Sequence, residues 1–505
     1  MTWFLYTLIK ASALSWLAWV LLEAARRLFF HPLSSIPGPR LAALTWWYEF
    51  YYDAIKPGQY IFKIQDLHKE YGPILRITPD EIHINDVGFL DTVYAPHSVP
   101  RNKYEAKLKS LRMPGGVGTT ADYKLHKIRR NSLAPFFSKK NILSLEGLIA
   151  KKVDQLCGVV EAHAFKGTPA NLSDLFFAFS NDVTTNFLFS HQVNVLGDEK
   201  SAATLRHNSH NLLQGAHMNR HFPWIPDLME SLPQFITEKR VNKELVTIIE
   251  EKSNPVQKNE DHTRKKSVYE AVLDDPNLPD SQKALKRLEE EGSLLVLAGA
   301  ESPASTLNII FFHLLSNPNI LTTLRAELKN VPSPAGWTEL DKLPYLSAVI
   351  EEGNRLSFGV ATRTSRIAPG PITYTPSHLD TSPTKISKAY IIPGGTPVSI
   401  STLSAHTASS VFPDPYNFDP NRWLGEEGRQ RRKFQMAFSK GGRKCLGIEL
   451  ARAELCLVVA GLVQRFDMTL WETDVSDVAF QHEFVVAMPK LSSKGVQVLV
   501  KSAKE

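Results

Sequence analysis

The segment Phe438-Ser-Lys-Gly-Gly-Arg-Lys-Cys445-Leu-Gly447 decides the fold of this 505-residue chain. It is followed by residues 448–463, where apolar side chains recur at helical spacing, so Cys445 lies at the start of a predicted helix. The free N–H groups and the positive dipole end of that helix favour a thiolate, and the two basic residues before the cysteine act in the same direction. The two adjacent glycines permit a tight turn that presents the sulfur from a loop against a flat object. The pattern predicts a thiolate that is a nucleophile or a metal ligand.

The spacing around Cys445 favours the metal ligand. A nucleophilic cysteine needs a neighbouring base held by a third group, and the local sequence supplies neither. The positions Phe-x-x-Gly-x-Arg-x-Cys-x-Gly all match the signature of the cytochrome P450 superfamily, which the chain resembles. The resemblance implies that Cys445 is the axial ligand of a haem b iron, with Phe438 and Arg443 beside the cofactor. Covalent haem attachment is not indicated, because the chain has no Cys-x-x-Cys-His motif.

Composition and charge exclude several other classes of protein. Three cysteines, Cys157, Cys445 and Cys456, are too few for a disulfide scaffold and too widely spaced for a structural zinc site. A net charge of +6 spread over the whole chain is far from the concentrated basic charge of a nucleic-acid-binding protein. We therefore expect no nucleic-acid partner.

The N-terminus predicts a membrane anchor over residues 1–27. The run Trp3–Leu22 is apolar except for Lys10 and is close to the ~20 residues that cross a bilayer as a helix. The basic pair Arg26-Arg27 follows the run, which argues against a cleaved signal peptide and places the downstream chain in the cytosol. Residues 28–40 form a proline-rich hinge, and residues 41–505 form a single catalytic domain. The resemblance implies a single-pass protein of the endoplasmic reticulum membrane.

Helical patterns dominate the chain to about residue 365, and short strands are predicted between Ile372 and Ser401. The polar tract from Ser253 to Gly292 indicates an exposed loop and a solvated helix. The predicted fold class is mainly α with a small β region, and the resemblance implies the cytochrome P450 fold.

A possible ion pair lies about ninety residues before the cysteine. Glu352 and Arg355 are three residues apart on a predicted helix and so share one face. Alone they would be an ordinary surface ion pair. The resemblance makes them the family's Glu-x-x-Arg motif, whose third member is Arg422 in Phe418-Asp-Pro-Asn-Arg422-Trp. Asn421 stands where the family usually has glutamate, so we expect a weaker network, with a structural and not a chemical role.

The segment Leu294–Leu315 is apolar on nearly every side, as a helix through the centre of a protein must be. Its small residues, Ala298 and Gly299 among them, would let a planar ligand approach the backbone. The segment resembles the family's oxygen-binding helix, Ala-Gly-x-Glu/Asp-Thr-Thr, with Glu301 at the acidic position.

Two residues depart from that motif. Ser302 replaces the first threonine and keeps a hydroxyl group that could relay protons to bound oxygen. Pro303 replaces the second threonine and cannot donate to the Gly299 carbonyl, so the helix is predicted to open there. The alternative is that Pro303 only kinks the helix.

A haem carries two propionates, which need cationic partners. Alignment through Leu133 and Pro135 places Arg130 at the family's propionate-binding arginine and His126 at a position usually held by tryptophan. Arg366 and Arg443 are the other candidates. Any one of these arginines taken alone would be interpreted as a solvated surface charge.

The chain lacks a convincing Gly-x-Gly-x-x-Gly nicotinamide motif, since its nearest match, residues 116–121, does not follow a predicted strand. The resemblance implies that an NADPH–cytochrome reductase on the same membrane delivers electrons. The basic run Arg429–Lys433, with Lys440 and Lys444, could steer that partner to the cysteine side. A solvated loop explains the run equally well.

The resemblance implies an oxidoreductase, similar to microsomal cytochrome P450 monooxygenases of fungal secondary metabolism. It would use O2 to hydroxylate or epoxidise a lipophilic small molecule. The segment Phe222–Pro226 could dip into the membrane near the substrate entrance, or could be buried packing. A non-oxidative haem-thiolate isomerase or dehydratase and a non-catalytic membrane haem protein remain alternatives, and dependence of turnover on NADPH distinguishes the first from a monooxygenase.

Overall fold

The structure, a computed structural model, describes residues 2–189, 193–231, 267–332, 335–384 and 388–502. The α-helices of these residues are, in chain order, α1 (Thr2–Ala25), α2 (Arg40–Leu44), α3 (Trp47–Phe50), α4 (Tyr60–Tyr71), α5 (Leu90–Val93), α6 (Glu105–Leu108), α7 (Tyr123–Leu133), α8 (Lys139–Leu143), α9 (Glu146–Lys166), α10 (Leu172–Phe189), α11 (Glu199–Gln214), α12 (Ala216–His221), α13 (Trp224–Ser231), α14 (Val268–Asp274), α15 (Leu285–Ser316), α16 (Pro318–Leu328), α17 (Trp337–Leu340), α18 (Pro344–Ser357), α19 (Thr402–His406), α20 (Gly425–Arg431) and α21 (Ile448–Arg465).

The strands are short and far apart in sequence. They are β1 (Ile74–Arg76), β2 (Ile82–Ile84), β3 (Asn102–Lys103), β4 (Ala170–Asn171), β5 (Arg366–Ile367), β6 (Ile372–Tyr374), β7 (Tyr390–Ile392), β8 (Pro397–Ser399), β9 (Phe466–Leu470), β10 (His482–Phe484), β11 (Val486–Met488) and β12 (Gln497–Ser502). The larger sheet has the order β1-β2-β8-β5-β3, in which only the β2–β8 pair is parallel. A second sheet has the order β4-β12-β9, and β6-β7 and β10-β11 are hairpins. The predicted class, mainly α with a small β region, is confirmed.

The helix α15 runs through the largest apolar core and packs against α10, α18 and α21. It is half buried, and it is one of two helices in the described residues that are long and apolar enough to cross a membrane. Its packing among other helices identifies it as a core helix. The structure therefore places the predicted oxygen-binding segment at the centre of the protein.

The other such helix is the N-terminal one, whose span Trp3–Phe30 has no buried residues in its most apolar window. The segment after this helix packs against the rest of the protein. Leu33 and Ile36 are buried in the smaller apolar core, and the Arg27 guanidinium donates to the Leu44 carbonyl at 2.6 Å. Arg76, at the end of β1, donates in turn to the Arg27 carbonyl at 2.8 Å. The end of the helix is thus fixed to the sheet.

The polar tract predicted between Ser253 and Gly292 is only partly described, since residues 253–266 lie outside the described ranges. Its last part forms α14 and the first turns of α15. There Arg287 and Glu291 form an ion pair of 2.5 Å with both side chains buried. The prediction of a solvated helix is wrong at this turn, because α15 enters the core earlier than its charged residues suggest.

Candidate active site

The loop before Cys445 is held against the backbone of residues 94 and 95. The Cys445 N–H donates to the Phe438 carbonyl at 2.8 Å, which closes the loop on itself. Gly441 has a φ of +67°, and a Cβ atom there would lie 2.1 Å from the Ala95 carbonyl oxygen. The Gly442 N–H donates to the same carbonyl at 2.9 Å. The loop therefore requires glycine at position 441, for both its conformation and its close contact.

The Cys445 side chain is accessible to solvent, yet protein surrounds it. Burial raises the pKa of its thiol, although the N–H groups of Gly447 and Leu446 and the Arg130 guanidinium oppose this effect. A side chain that is surrounded by protein but still accessible lines an internal space. The backbone N–H groups lower the thiol pKa as predicted, but burial outweighs them and the net direction is upward. The Arg443 guanidinium donates to the backbone carbonyls of Thr120 and Ala121.

Four cationic side chains converge beside this sulfur: Lys103, Arg130, Arg366 and Arg443. Burial lowers the pKa of Lys103 well below its usual range, and the three neighbouring arginines lower it further. Burial also lowers the pKa of Arg443 to about 10. Within the described ranges none of the four forms an ion pair with a carboxylate, and the buried Nε of Arg443 has no hydrogen-bond partner. Four unneutralised cations in one place are costly and fit a group with two negative charges.

The remaining rim residues are placed by short backbone contacts. Arg130 donates to the Lys444 carbonyl at 2.8 Å, and Arg366 donates to the Thr364 carbonyl at 2.6 Å. His126 is buried, and burial together with the nearby cations lowers its pKa to about 2, so its ring is neutral. The structure thus brings together all the residues predicted for the propionates. Sequence reasoning missed Lys103, which lies in a two-residue strand with no motif around it.

The residues present at this site fit a haem, because a thiol faces an internal space and an unneutralised cationic rim lies beside it. Cys445 supplies the sulfur ligand of the kind that haem iron accepts. The four cations supply partners for two propionates.

The small residues of α15 do not all face this space. Ala298 is exposed although it lies in the middle of a core helix, and Ser302, one turn later, is partly exposed. Gly299 instead faces α10, where its Cβ would lie 2.5 Å from the Thr184 hydroxyl oxygen, and Ala300 is buried. The prediction that Gly299 admits a flat ligand is therefore wrong, because this glycine allows two helices to pack closely.

The acidic residue of the motif is turned toward α11. The Glu301 carboxylate is buried, accepts a hydrogen bond from the Ser209 hydroxyl at 2.5 Å, and lies 3.6 Å from the His210 Nε2. Helix α15 is unbroken across Pro303, so the prediction that the helix opens at Gly299 is wrong. Within the described residues the Ser302 hydroxyl makes no hydrogen bond.

A buried apolar cluster, called the roof below, packs on Leu297 of α15. Leu213 of α11, Phe484 and Met488 form a buried cluster, and Leu111, Leu297, Val485 and Val486 pack against it. Val485, at the tip of the β10-β11 hairpin, has a φ of +70°, a strained value for a β-branched residue. Its carbonyl accepts hydrogen bonds from the N–H groups of Ala361 and Thr362 at 2.9 and 3.2 Å. The roof is therefore apolar and fixed at its hairpin.

The predicted ion network is buried on the other side of the cysteine loop. Arg355 contacts both carboxylate oxygens of Glu352 at 2.7 and 2.8 Å, and Arg422 contacts one of them at 3.1 Å. The Trp423 indole donates to the same carboxylate at 2.8 Å, a contact that sequence reasoning missed. Asn421 is exposed and takes no part, so its replacement of glutamate does not weaken the network.

His406 joins this network to the cysteine loop. Its Nδ1–H donates to the Arg355 carbonyl at 2.7 Å, and its Nε2 accepts from the Met436 N–H at 2.8 Å. Burial and Arg355 lower the pKa of this histidine to about 3, which keeps the ring neutral, as both hydrogen bonds require. No motif marked this residue in the sequence.

Most of the predicted basic run is paired locally. Arg431 donates to the Arg422 carbonyl at 3.0 Å, Arg429 pairs with Glu426, and Lys440 pairs with Asp91. Two other exposed cations, Lys127 and Lys444, lie on the cysteine side and form no ion pair within the described ranges. Both of them lower the pKa of His97, although less than burial does, so the two cations share one surface.

Comparison with known proteins agrees with this geometry. The sequence profile of the family described as Cytochrome P450 matches residues 37–494. The chain is 35% identical to cytochrome P450 monooxygenase astB of Aspergillus terreus, over 94% of this chain and 93% of that protein. It is 34% identical to cytochrome P450 monooxygenase TRI4 of Trichoderma arundinaceum, over 92% and 90% of the two chains. It is also 35% identical to tryptophan 6-hydroxylase fscE of Fusarium equiseti, over 94% of each chain. The chain therefore belongs to the cytochrome P450 family and is a haem-thiolate monooxygenase.

Proposed function

We propose that this protein uses O2 and electrons from NADPH to hydroxylate or epoxidise a lipophilic small molecule in a fungal secondary-metabolite pathway. One observation carries the proposal: the accessible Cys445 side chain lies beside four cationic side chains that no carboxylate neutralises within the described residues. The relatives named as monooxygenases and as a tryptophan 6-hydroxylase support oxygen insertion into carbon.

In this proposal Cys445 ligates the iron of haem b, and Arg130, Arg366, Arg443 and Lys103 hold its propionates. When bound, the haem supplies oxygen activation, which a thiolate ligand favours. His126 lies beside the rim as a neutral hydrogen-bond donor or acceptor, and Phe438 closes the cysteine loop. The network of Glu352, Arg355 and Arg422 holds the loop in place structurally.

Two further residues of the proposed site, Glu301 and Ser302, belong to α15. The Ser302 hydroxyl is on the face that includes Ala298, so it can pass a proton into the open space. Glu301 is the acidic residue next to Ser302 in the chain, and its carboxylate is turned toward Ser209 and His210 of α11. The apolar roof excludes water and favours a lipophilic substrate.

We assign residues 1–27 to a membrane anchor, residues 28–40 to its link and residues 41–505 to the catalytic domain. The span Trp3–Phe30 is long enough to cross a bilayer, and Arg26 and Arg27 at its end favour a cytosolic catalytic domain on the endoplasmic reticulum. An NADPH–cytochrome reductase on the same membrane would deliver electrons. The free cations Lys127 and Lys444 on the cysteine side would attract an acidic surface of that partner.

The test is the carbon monoxide spectrum of the dithionite-reduced full-length protein. We expect the red-shifted Soret band of thiolate ligation in the wild type and its loss in Cys445→Ser, while Cys456→Ser, which changes a buried cysteine of α21, keeps the band. A Cys445→Ser protein with an unchanged band would contradict the ligand assignment.

Turnover then distinguishes the alternatives. A monooxygenase consumes NADPH and O2 with its substrate, whereas an isomerase or dehydratase acts on a peroxide without NADPH. One observation favours the isomerase or dehydratase alternative. The hydrogen bond from Ser209 turns the Glu301 carboxylate away from Ser302. Product formation without NADPH would favour the alternative.

A further inference from the structure

Behind the apolar roof lies a cluster of buried charges that the proposed function does not use. Its four carboxylates are all buried and come from three parts of the chain: Glu49 with Asp53, Glu81, and Glu483. Three permanent cations contact them: Lys107, Arg220 and Arg363. The cluster joins the N-terminal segment to α12 and to the β10-β11 hairpin.

These charges do not balance. Four carboxylates against three cations leave one uncompensated negative charge, and a buried uncompensated charge costs several kcal/mol. One oxygen each of Asp53, Glu81 and Glu483 has no hydrogen-bond partner although it is buried. The only other titratable group set between two of these carboxylates within the described residues is His217 of α12.

The geometry of His217 calls for protons on both ring nitrogens. Its Nε2 lies 2.6 Å from the Glu483 carbonyl oxygen, so this nitrogen donates a hydrogen bond. Its Nδ1 lies 3.8 Å from the Asp53 carboxylate. Each nitrogen thus faces an oxygen that only accepts, and only the imidazolium ion offers a proton to both. The imidazolium also supplies the missing positive charge.

The same cluster shapes the substrate space. The Glu483 carboxylate accepts a hydrogen bond from the Val485 N–H at 2.8 Å and so holds the strained tip of the hairpin. The His217 ring also packs on Phe484 of the roof, with ring centroids 5.7 Å apart. Loss of the contact between α12 and β10 would therefore release the roof.

We propose that His217, as an imidazolium ion, is a positioning residue that holds α12 and the β10-β11 hairpin closed over the substrate space. It thereby sets the rate at which bulky ligands reach the haem. The inference rests on the proposed function only in requiring a haem beneath the roof.

The proposal depends on the charge of His217. The groups that face His217 are Asp53 and Glu49 from the N-terminal segment, Glu483 from β10, Arg363 from the loop after α18, and Arg220 on its own helix. Replacing His217 by a neutral residue leaves the cluster with a net negative charge and weakens the closed roof.

The experiment measures binding of clotrimazole, a bulky azole that ligates ferric haem, by stopped-flow absorbance with the full-length haem-loaded protein. We expect His217→Gln, which removes the positive charge, to raise the association rate about tenfold at constant pH, within the usual range of coupling between two states. His217→Lys, which restores a positive charge, should keep the slow rate of the wild-type protein. Carbon monoxide binding to the ferrous protein needs no open roof and should change much less.

The matched control is His163→Gln, which removes a partly exposed histidine paired with Glu199 and should keep the wild-type rate. Equal clotrimazole rates in His217→Gln and the wild-type protein would overturn the proposal, and so would a fast rate in His217→Lys. A rate that rises when EDTA is added would also overturn it, because a metal ion held by Asp53, His217 and Glu483 would then balance the charge. None of these readouts requires NADPH, so failure of the monooxygenase proposal is detected separately.

Discussion

Two opposing effects act on the Cys445 thiol. Burial raises its pKa, whereas backbone N–H groups and Arg130 stabilise the thiolate. Because burial dominates, the site holds a protonated thiol until a metal cation displaces the proton. In the function proposed above, the protein would fix the position of the sulfur and iron binding would supply its charge state.

At Ser302 the hydroxyl is the only proton-carrying group of the side chain, and it lies on the face of α15 that includes the exposed Ala298. Ser302→Ala should lower the product formed per NADPH consumed by roughly tenfold or more, as expected for loss of a positioned proton donor. Coupling is measured from product and NADPH in the same reconstituted reaction. Ser302→Thr keeps the hydroxyl and should retain most of the coupling, and equal coupling in all three proteins would remove Ser302 from proton delivery.

Residues that belong to a contiguous motif could be predicted from the sequence, and isolated ones could not. Cys445, Arg443 and Phe438 occur together at fixed spacing. Lys103 and His406 act through partners distant in sequence, and nothing next to them in the chain indicates a role. Their functions follow only from the tertiary structure.

At the scale of elements, the small residues of α15 have two different surroundings. Ala298 is exposed, whereas Gly299 allows α15 to pack closely on α10. The prediction of a central helix is confirmed, and so is the strand region between Ile372 and Ser401. The direction in which each small residue points could not be predicted, because it depends on where α10 packs. The strands β2 and β12 were not predicted, since each pairs with a segment distant in sequence, β8 and β4 respectively.

Close packing of α15 on α10 makes a test possible. Gly299→Ala places a methyl group 2.5 Å from the Thr184 hydroxyl oxygen and should destabilise the protein by about 1–3 kcal/mol. Thr184→Ala in the same chain should recover most of this loss, which chemical unfolding of the four proteins of the cycle measures.

Gly158→Ala in α9 is the control for that cycle. A Cβ there meets no atom within 4 Å, so the change should stabilise the helix by up to about 1 kcal/mol. If Gly299→Ala behaved like Gly158→Ala, the tight contact between the helices would be refuted.

At the scale of the whole molecule, an exposed aromatic surface lies beside the anchor. Trp47 and Trp224 are 60% and 59% exposed, and Phe222 packs between them with ring centroids 6.1 and 6.4 Å away. Buried packing therefore explains Phe222 but not Trp224. The surface is suited to contact with the lipid interface.

A chain lacking residues 1–25 should therefore still bind phosphatidylcholine vesicles, as measured by cosedimentation. Replacing Trp47 and Trp224 by serine should reduce this binding by at least about tenfold, because both rings lose their apolar contact with lipid. Trp471→Ser, at an exposed tryptophan next to β9, should have little effect. Equal binding of the double variant and the truncated parent would exclude this surface.

Buried neutral histidines make the molecule sensitive to acid. Burial lowers the pKa of His68 to about 4, and burial and Arg355 lower that of His406 to about 3, against 6.5 for an ordinary histidine. The unfolded chain binds more protons between these values, so stability is full above pH 6.5 and falls as the pH drops. At pH 5 each histidine should cost about 2 kcal/mol of unfolding free energy.

Urea unfolding of the haem-loaded protein in detergent at about pH 7 and pH 5 measures this loss. His68→Gln should have a smaller difference between the two conditions than the wild type. A stability that is the same at both pH values would contradict the neutral state of these rings.

The hydrogen bonds that join Arg27 to Leu44 and Arg76 to Arg27 turn the junction after α1 into a stiff stalk. A domain on a flexible tether would tumble above the bilayer and present its cysteine side to a neighbour in few of its orientations. A domain on a stalk keeps one tilt while it diffuses laterally. If α1 is the membrane anchor proposed above, an electron-donating protein on the same membrane would meet the domain by a search in two dimensions with the angle of approach already set.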